Sequence, residues 1–341
     1  LYTILGADVY LFPTLIALAF AGYVVFLNFR GASSAAKLQA FLTKALLCGM
    51  LLAMGVSIVT GSPSNAMPVF SQVSGAGGGV AATESPNLLA GIVSVLVLTP
   101  FFYAGFDTIP QQAEEAAEGL NWNKFGKIIT LALLAAGGFY MVCIYSFGTI
   151  LPWDEFVSQP VPALACLKNI NMILYVAMLV IATLGPMGPM NSFYGATSRI
   201  MLAMGRKGQL PEQFAEVDEK SGAPKLACVV LAVITIVGPF LGKNMLIPLT
   251  NVSALAFILS CTMVALACLK MRYTEPDLPR PYKVPGGKFG IFLAILAGAI
   301  IIGLLVLPFS PASLDMVEWS IVIGWLVVGF ILMFVTKARA K

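Results

Sequence analysis

The sequence predicts an all-α membrane protein, and three observations carry that prediction. Of 341 residues, 59% are hydrophobic and only 11% charged, where a soluble domain carries about a quarter charged residues. The mean hydropathy is +0.90. The apolar residues gather into runs of roughly 20, the length that crosses a ~30 Å hydrocarbon core as a helix. None of these runs alternates with period 2, so barrel strands are excluded and helices remain the spanning element. The lipid bilayer is the implied solvent. A soluble enzyme, a nucleic-acid binder and a disordered protein are excluded as readings of the whole chain.

Nine spans follow in order, over residues 9–29, 38–60, 87–113, 125–151, 170–204, 226–241, 244–269, 289–309 and 317–336. Between the second and third, residues 61–86 are rich in Gly, Ser and Pro, which marks a connector rather than a domain. Between the fourth and fifth, residues 153–168 hold two proline-containing turns and a short amphipathic stretch, expected as a helix lying across the outer surface. Residues 205–225 and 270–288 form the two longer polar loops.

Seventeen of the 20 lysines and arginines fall at the ends of the odd-numbered spans, after them or at the C-terminus, among them Arg206, Lys225 and Arg280. The opposite loops hold only Lys168 and Lys243, with the acids Glu84, Asp154 and Asp315 among others. By the positive-inside bias, the C-terminus is expected in the cytoplasm and the first residue outside. A multi-pass protein of the plasma membrane, and specifically of a bacterial inner membrane, is the expected location.

The chain has no histidine, which removes Ser-His-Asp catalysis and imidazole-bound zinc. Its six cysteines, Cys48, Cys143, Cys166, Cys228, Cys261 and Cys268, are scattered and never in CxxC spacing. They read as small hydrophobes within helices. No metal and no cofactor is expected, and no catalytic residue.

Four motifs point to a family. The third span includes Leu98-Thr-Pro-Phe-Phe-Tyr-Ala-Gly-Phe-Asp107 and continues to Ala113-Glu-Glu-Ala116. Asn28-Phe-Arg-Gly31 follows the first span. Ser198-Arg-Ile-Met-Leu-Ala-Met-Gly-Arg206 leads into Lys207-Gly-Gln-Leu-Pro211. Arg272-Tyr-Thr-Glu-Pro-Asp-Leu-Pro-Arg280 leads into Pro281-Tyr-Lys-Val-Pro285. In this order they resemble amino acid permeases of the amino acid–polyamine–organocation superfamily. The Asn28–Gly31 stretch is similar to the loop between that family's helices four and five.

The resemblance implies a LeuT-type fold of two inverted five-helix repeats, with the nine spans standing for helices four to twelve of twelve and the first three helices absent. Residues 1–86 would then be the last two helices of the first repeat with an external loop. Residues 87–270 would be the second repeat, and residues 271–341 a cytoplasmic loop with two accessory helices. The carboxylate-binding break of helix one would lie outside this sequence. The implied function is secondary active import of amino acids, by proton symport with alternating access. An amino acid, amine or polyamine exchanger is the alternative. A channel or an intramembrane enzyme fits less well, since the spans lack a polar stripe and a nucleophile–base pair.

The third span also carries its own chemistry. Pro100, Gly105 and Pro110 recur every five residues at mid-membrane depth, and such residues disrupt a helix interior. Two readings stand: a kink packed against neighbours, or a break near 103–106 that lines a cavity. On the second, the substrate-binding residues are Phe101, Phe102, Tyr103, Ala104, Gly105 and Phe106. The carbonyls of Phe101, Phe102 and Ala104 would face an ammonium group, and Phe106 would serve as a lid. Asp107 reads either as N-cap of the following half-helix or as a proton-sensitive carboxylate. Glu114 and Glu115 read as a solvated or gate-pairing face.

Lys44 is the other ionisable residue expected at mid-depth. The resemblance implies a lysine on this helix in some proton-coupled members, which makes Lys44 and Asp107 the candidates for proton coupling. Gly185-Pro-Met-Gly-Pro189 marks a further kink, and Asn191, Ser192 and Ser253 are candidate lining residues.

Overall fold

A computed structural model describes residues 2–4, 6–30, 32–66, 88–111, 121–159, 161–280 and 282–339; Glu84, Glu114 and Glu115 lie outside them. The chain opens on a hairpin that the hydropathy pattern did not anticipate. Strand β1 (Tyr2–Ile4) pairs antiparallel with β2 (Ala7–Val9), and Gly6 turns between them at φ +74°. The first membrane helix, α1 (Leu11–Phe29), therefore begins two residues later than expected. Its last turn contains Asn28, which the motif reading had placed in a loop.

Seven helical stretches among the described residues are long and apolar enough to cross a membrane. They are α1, most of α2 (Ala32–Thr60), α5 (Trp122–Gly148), the joined pair α8 (Met172–Leu184) and α9 (Met187–Arg206), α11 (Leu246–Thr274), α12 (Gly287–Val306) and α13 (Met316–Arg339). They coincide with seven of the nine expected spans. The remaining two are shorter because their prolines and glycines interrupt them. The third span divides into α3 (Leu88–Tyr103) and the single turn α4 (Thr108–Gln111). The sixth is α10 (Lys225–Val237), which tightens into a 3-10 turn at Gly238–Leu241 around Pro239. The kink read at Gly185–Pro189 is real, and it separates α8 from α9.

Local sequence sets the helix starts. Asn121 caps α5 by accepting from the Lys124 backbone N–H at 3.0 Å. Asn171 caps α8 by accepting from Ile173 at 2.8 Å and Leu174 at 3.4 Å. Both satisfy amides that a helix start leaves unpaired. Asp315 and Glu318 form a reciprocal capping box at the start of α13, each carboxylate taking the other's backbone N–H at 2.8 Å.

Residues 153–168 fall in two short helices where one was expected, α6 (Trp153–Ser158) and α7 (Pro162–Ile170). The apolar stripe of α7 inserts Cys166 and Leu167, both fully buried, into a core with Ala53 and Met54 of α2, Phe147 of α5 and Met178 of α8, while Lys168 and Asn169 stay exposed. The amphipathic pattern gave the apolar stripe but not the surface that covers it.

Packing divides the helices into two groups. One joins α1, α2, α8, α9 and α10, with α5 and α7 against α2. Its centre includes Val24, Leu42 and Met187. The other joins α3, α11, α12 and α13 around Val97, Leu255, Leu305 and Leu314. Lipid tails are as apolar as leucine, so close packing and interhelical hydrogen bonds hold such helices together. Gly298 supplies one close approach, since a Cβ there would meet the hydroxyl of Thr262 on α11. The outward faces remain apolar, with Leu134 at 71% and Phe334 at 66% exposure. That is the surface a bilayer covers.

Candidate functional site

The two groups meet at the interrupted third span. α3 packs on α11 and α12, whereas α4 packs on α9, so the four residues between them cross from one group to the other. α3 carries Pro100 within it, whose missing N–H weakens the last turns. The helix stops at Tyr103, and Gly105 takes φ +127°. No L side chain readily adopts that conformation, which is why glycine stands there. A Cβ at Gly105 would meet nothing within 4 Å, so backbone angle rather than space sets the requirement.

A break inside a membrane leaves backbone groups that need partners. Here neighbouring side chains supply several of them. The Gly105 N–H donates to Asp107 Oδ1 at 2.9 Å, and Gln111 Nε2 donates to Asp107 Oδ2 at 2.9 Å. The hydroxyl of Thr108 donates to the Gly105 carbonyl at 2.6 Å. Asp107 thus stands at the start of α4 but reaches backward to the break, rather than forward to the amides of the next turn as an ordinary N-cap does.

The expected trio of free carbonyls is reduced to one. The Phe101 carbonyl accepts the Ala104 N–H at 3.1 Å, and the Phe102 carbonyl accepts the Tyr140 hydroxyl at 3.1 Å. Among the described residues only the Ala104 carbonyl of the three accepts nothing. It sits half-buried beside the carbonyl end of α3, where the helix dipole is negative.

The aromatic residues form four ring contacts around the break. Phe102 and Tyr103 meet Tyr140 of α5 edge-on, with ring centroids 6.1 Å and 6.2 Å apart. Gly137 makes this possible, because a Cβ there would strike the Tyr103 hydroxyl. Phe106 meets Phe257 of α11 at 5.9 Å and 89°, and Phe101 packs edge-on with Phe102.

The other candidates form no hydrogen bond with residues 104–107 among the described residues. Lys44 is exposed on α2 and forms no ion pair with Asp107. Asn191 is buried in a polar network that ties three helices together. Its side-chain oxygen accepts from Asn28 of α1 at 2.9 Å, and its amide donates to the Ala35 carbonyl of α2 at 3.0 Å. Ser192 is half-buried on α9, and Ser253 is exposed on α11.

Four residues at the break went unremarked in the sequence: Tyr140, Gln111, Gly137 and Phe257. Gln111 was within reach, lying four residues after Asp107, on the same helical face. Tyr140 was signalled only by a phenol in an apolar helix, which needs a partner when buried. Phe257 carried no signal, since one aromatic in an apolar run is unremarkable.

A polytopic helical bundle with a discontinuous membrane helix at the junction of two packed groups has the layout of a secondary transporter. Residues 3–334 match the family described as amino acid permease, and the chain belongs to that family. The branched-chain amino acid permease BcaP of Bacillus subtilis is 24% identical over 257 residues, 74% of this chain and 52% of that protein. The human cystine/glutamate transporter is 26% identical over 265 residues, 77% of this chain and 50% of that protein. The aspartate-proton symporter of B. subtilis is 32% identical over 126 residues, 35% of this chain and 24% of that protein. The chain spans about half the length of the first two.

Proposed function

We propose that the chain forms the substrate-handling part of a secondary active transporter that imports amino acids by proton symport. On this reading its helices correspond to helices four to twelve of a LeuT-type inverted-repeat fold. The observation that carries the proposal is the break at Ala104–Asp107, held open by side chains at the junction of two helix groups. The free Ala104 carbonyl would receive the ammonium of the substrate, and Phe106, hinged against Phe257, would close over it. Rocking of one group against the other would then expose the site to each side in turn.

Lys44 and Asp107 are the proposed proton-handling residues. Asp107 grips the break, so a change in its protonation would loosen Gly105 and Gln111 together. Lys44 forms no hydrogen bond or ion pair with Asp107, so its part would be felt through α2 rather than by contact. A relative named for aspartate–proton symport supports proton coupling. The C-terminus is proposed to be cytoplasmic, in a bacterial inner membrane.

Uptake into proteoliposomes with and without an imposed pH gradient tests the mechanism. Lys44→Met is expected to abolish accumulation against a gradient while leaving exchange intact. Asp107→Asn is expected to retain binding and shift the pH optimum. Accumulation with unchanged pH dependence in both variants would show that neither residue handles the proton.

A further inference from the structure

Away from the break, the loop between α11 and α12 folds back onto the first half of α5 and forms a groove of about 690 Å³. Its construction is specific. Arg280 spends its guanidinium on the loop itself, donating to the carbonyls of Met271, Glu275, Pro276 and Leu278. This ties Arg280 to the last turn of α11 and to residues 275–278. Tyr282 then lays its ring on α5 at Gly126, where any Cβ would collide with it. The groove between is lined by Lys127, Lys283, Leu131 and Leu134 among others, with no acidic side chain in its lining among the described residues. Neither lysine has a hydrogen-bonding or ionic partner among the described residues, and both are exposed.

The spacing gives the groove a direction. Lys127, Leu131 and Leu134 stand at i, i+4 and i+7, one stripe of α5. Lys127 lies near the helix start, where Trp122, 45% exposed and edge-on to Phe125, marks the level of the membrane interface. Leu131 and Leu134, 66% and 71% exposed, continue from there into the depth of the hydrocarbon. The site is therefore cationic at the level of headgroups and apolar at the level of acyl chains.

We propose that this groove binds an anionic phospholipid, with its phosphate between Lys127 and Lys283 and one acyl chain along Leu131 and Leu134. Cationic pockets beside membrane helices suit this ligand chemistry, and each nearby cation strengthens attraction about fivefold. A free phosphate would meet the same two lysines but would have no use for the leucines.

Native mass spectrometry of the purified chain, titrated separately with phosphatidylglycerol, phosphatidylcholine and inorganic phosphate, distinguishes the sources. Phosphatidylglycerol is expected to bind well above phosphatidylcholine, and phosphate not at all. Lys127→Gln with Lys283→Gln should weaken phosphatidylglycerol about 25-fold. Lys207→Gln with Lys220→Gln, an equal charge loss outside the groove, should leave it unchanged. Leu134→Glu keeps both lysines yet should also weaken binding, by placing an anion in the acyl path. Three results would overturn the assignment: equal binding of both lipids, phosphate binding that survives Leu134→Glu, or equal weakening by the two lysine pairs.

Discussion

Gly105 shows how one residue sets the geometry of the site. Its φ of +127° is open to glycine and strained for alanine, and such strain costs about 1–3 kcal/mol. Gly105→Ala meets no steric obstacle, so its effect isolates the backbone angle. The expected outcome is a lower thermal midpoint in detergent and a reduced maximal uptake rate. Unchanged values for both would mean that the break tolerates an ordinary residue. Asp218, in the polar loop after α9, offers a second residue-scale test. The Ser221 backbone N–H, the Lys225 ammonium at 3.1 Å and the Ser221 hydroxyl hold its pKa down to about 2. A depressed carboxylate contributes stability that is present above its ordinary value near 3.8 and lost as pH falls toward 2. Peptic cleavage within residues 207–224 should therefore rise between pH 4 and pH 2. In Asp218→Asn it should already be raised at pH 4.

At the scale of elements, the polar network on Asn191 does what apolar packing cannot do in lipid. It joins α1, α2 and α9 through Asn28, Ala35 and Gln39. Asn191→Leu removes the acceptor for Asn28 and leaves a buried amide with one bond fewer, at a cost of about 1–3 kcal/mol. Thermal unfolding in detergent should show a lowered midpoint. The Asn28→Leu, Asn191→Leu double variant should lose less than the sum of the single losses, because the pair then leaves no orphan between them. A fully additive double variant would deny the contact. The same asparagine looked like a site-lining residue in the sequence, where its spacing after Pro189 was visible and its partners 156 and 163 positions away were not.

For the whole molecule, charge asymmetry yields a topology that can be checked directly. Single cysteines at 206 and 280, introduced into a chain whose native cysteines are replaced, should resist an impermeant thiol reagent on intact cells. Those at 154 and 315 should react. Labelling at 206 without labelling at 154 would invert the orientation. The result also bears on the lipid groove, because the positive-inside bias assigns Lys127 and Lys283 to the same membrane face as Arg206.

The sequence alone determined the solvent, the helical class, seven of the long spans and the place where the third one breaks. These depend on composition and local chemistry: run length against bilayer thickness, and the conformational limits of Pro100 and Gly105. It also assigned the family, through motifs that survive as short local strings. Tertiary structure decided what satisfies the break and what covers each face. The Phe102 carbonyl goes to a tyrosine 38 residues on, α7 buries Cys166 and Leu167 against α2, α5 and α8, and Lys44 is exposed and forms no ion pair with Asp107. Partners of that kind come from helix packing. In a chain whose spans are apolar on nearly every side, hydropathy does not say which face meets protein and which meets lipid.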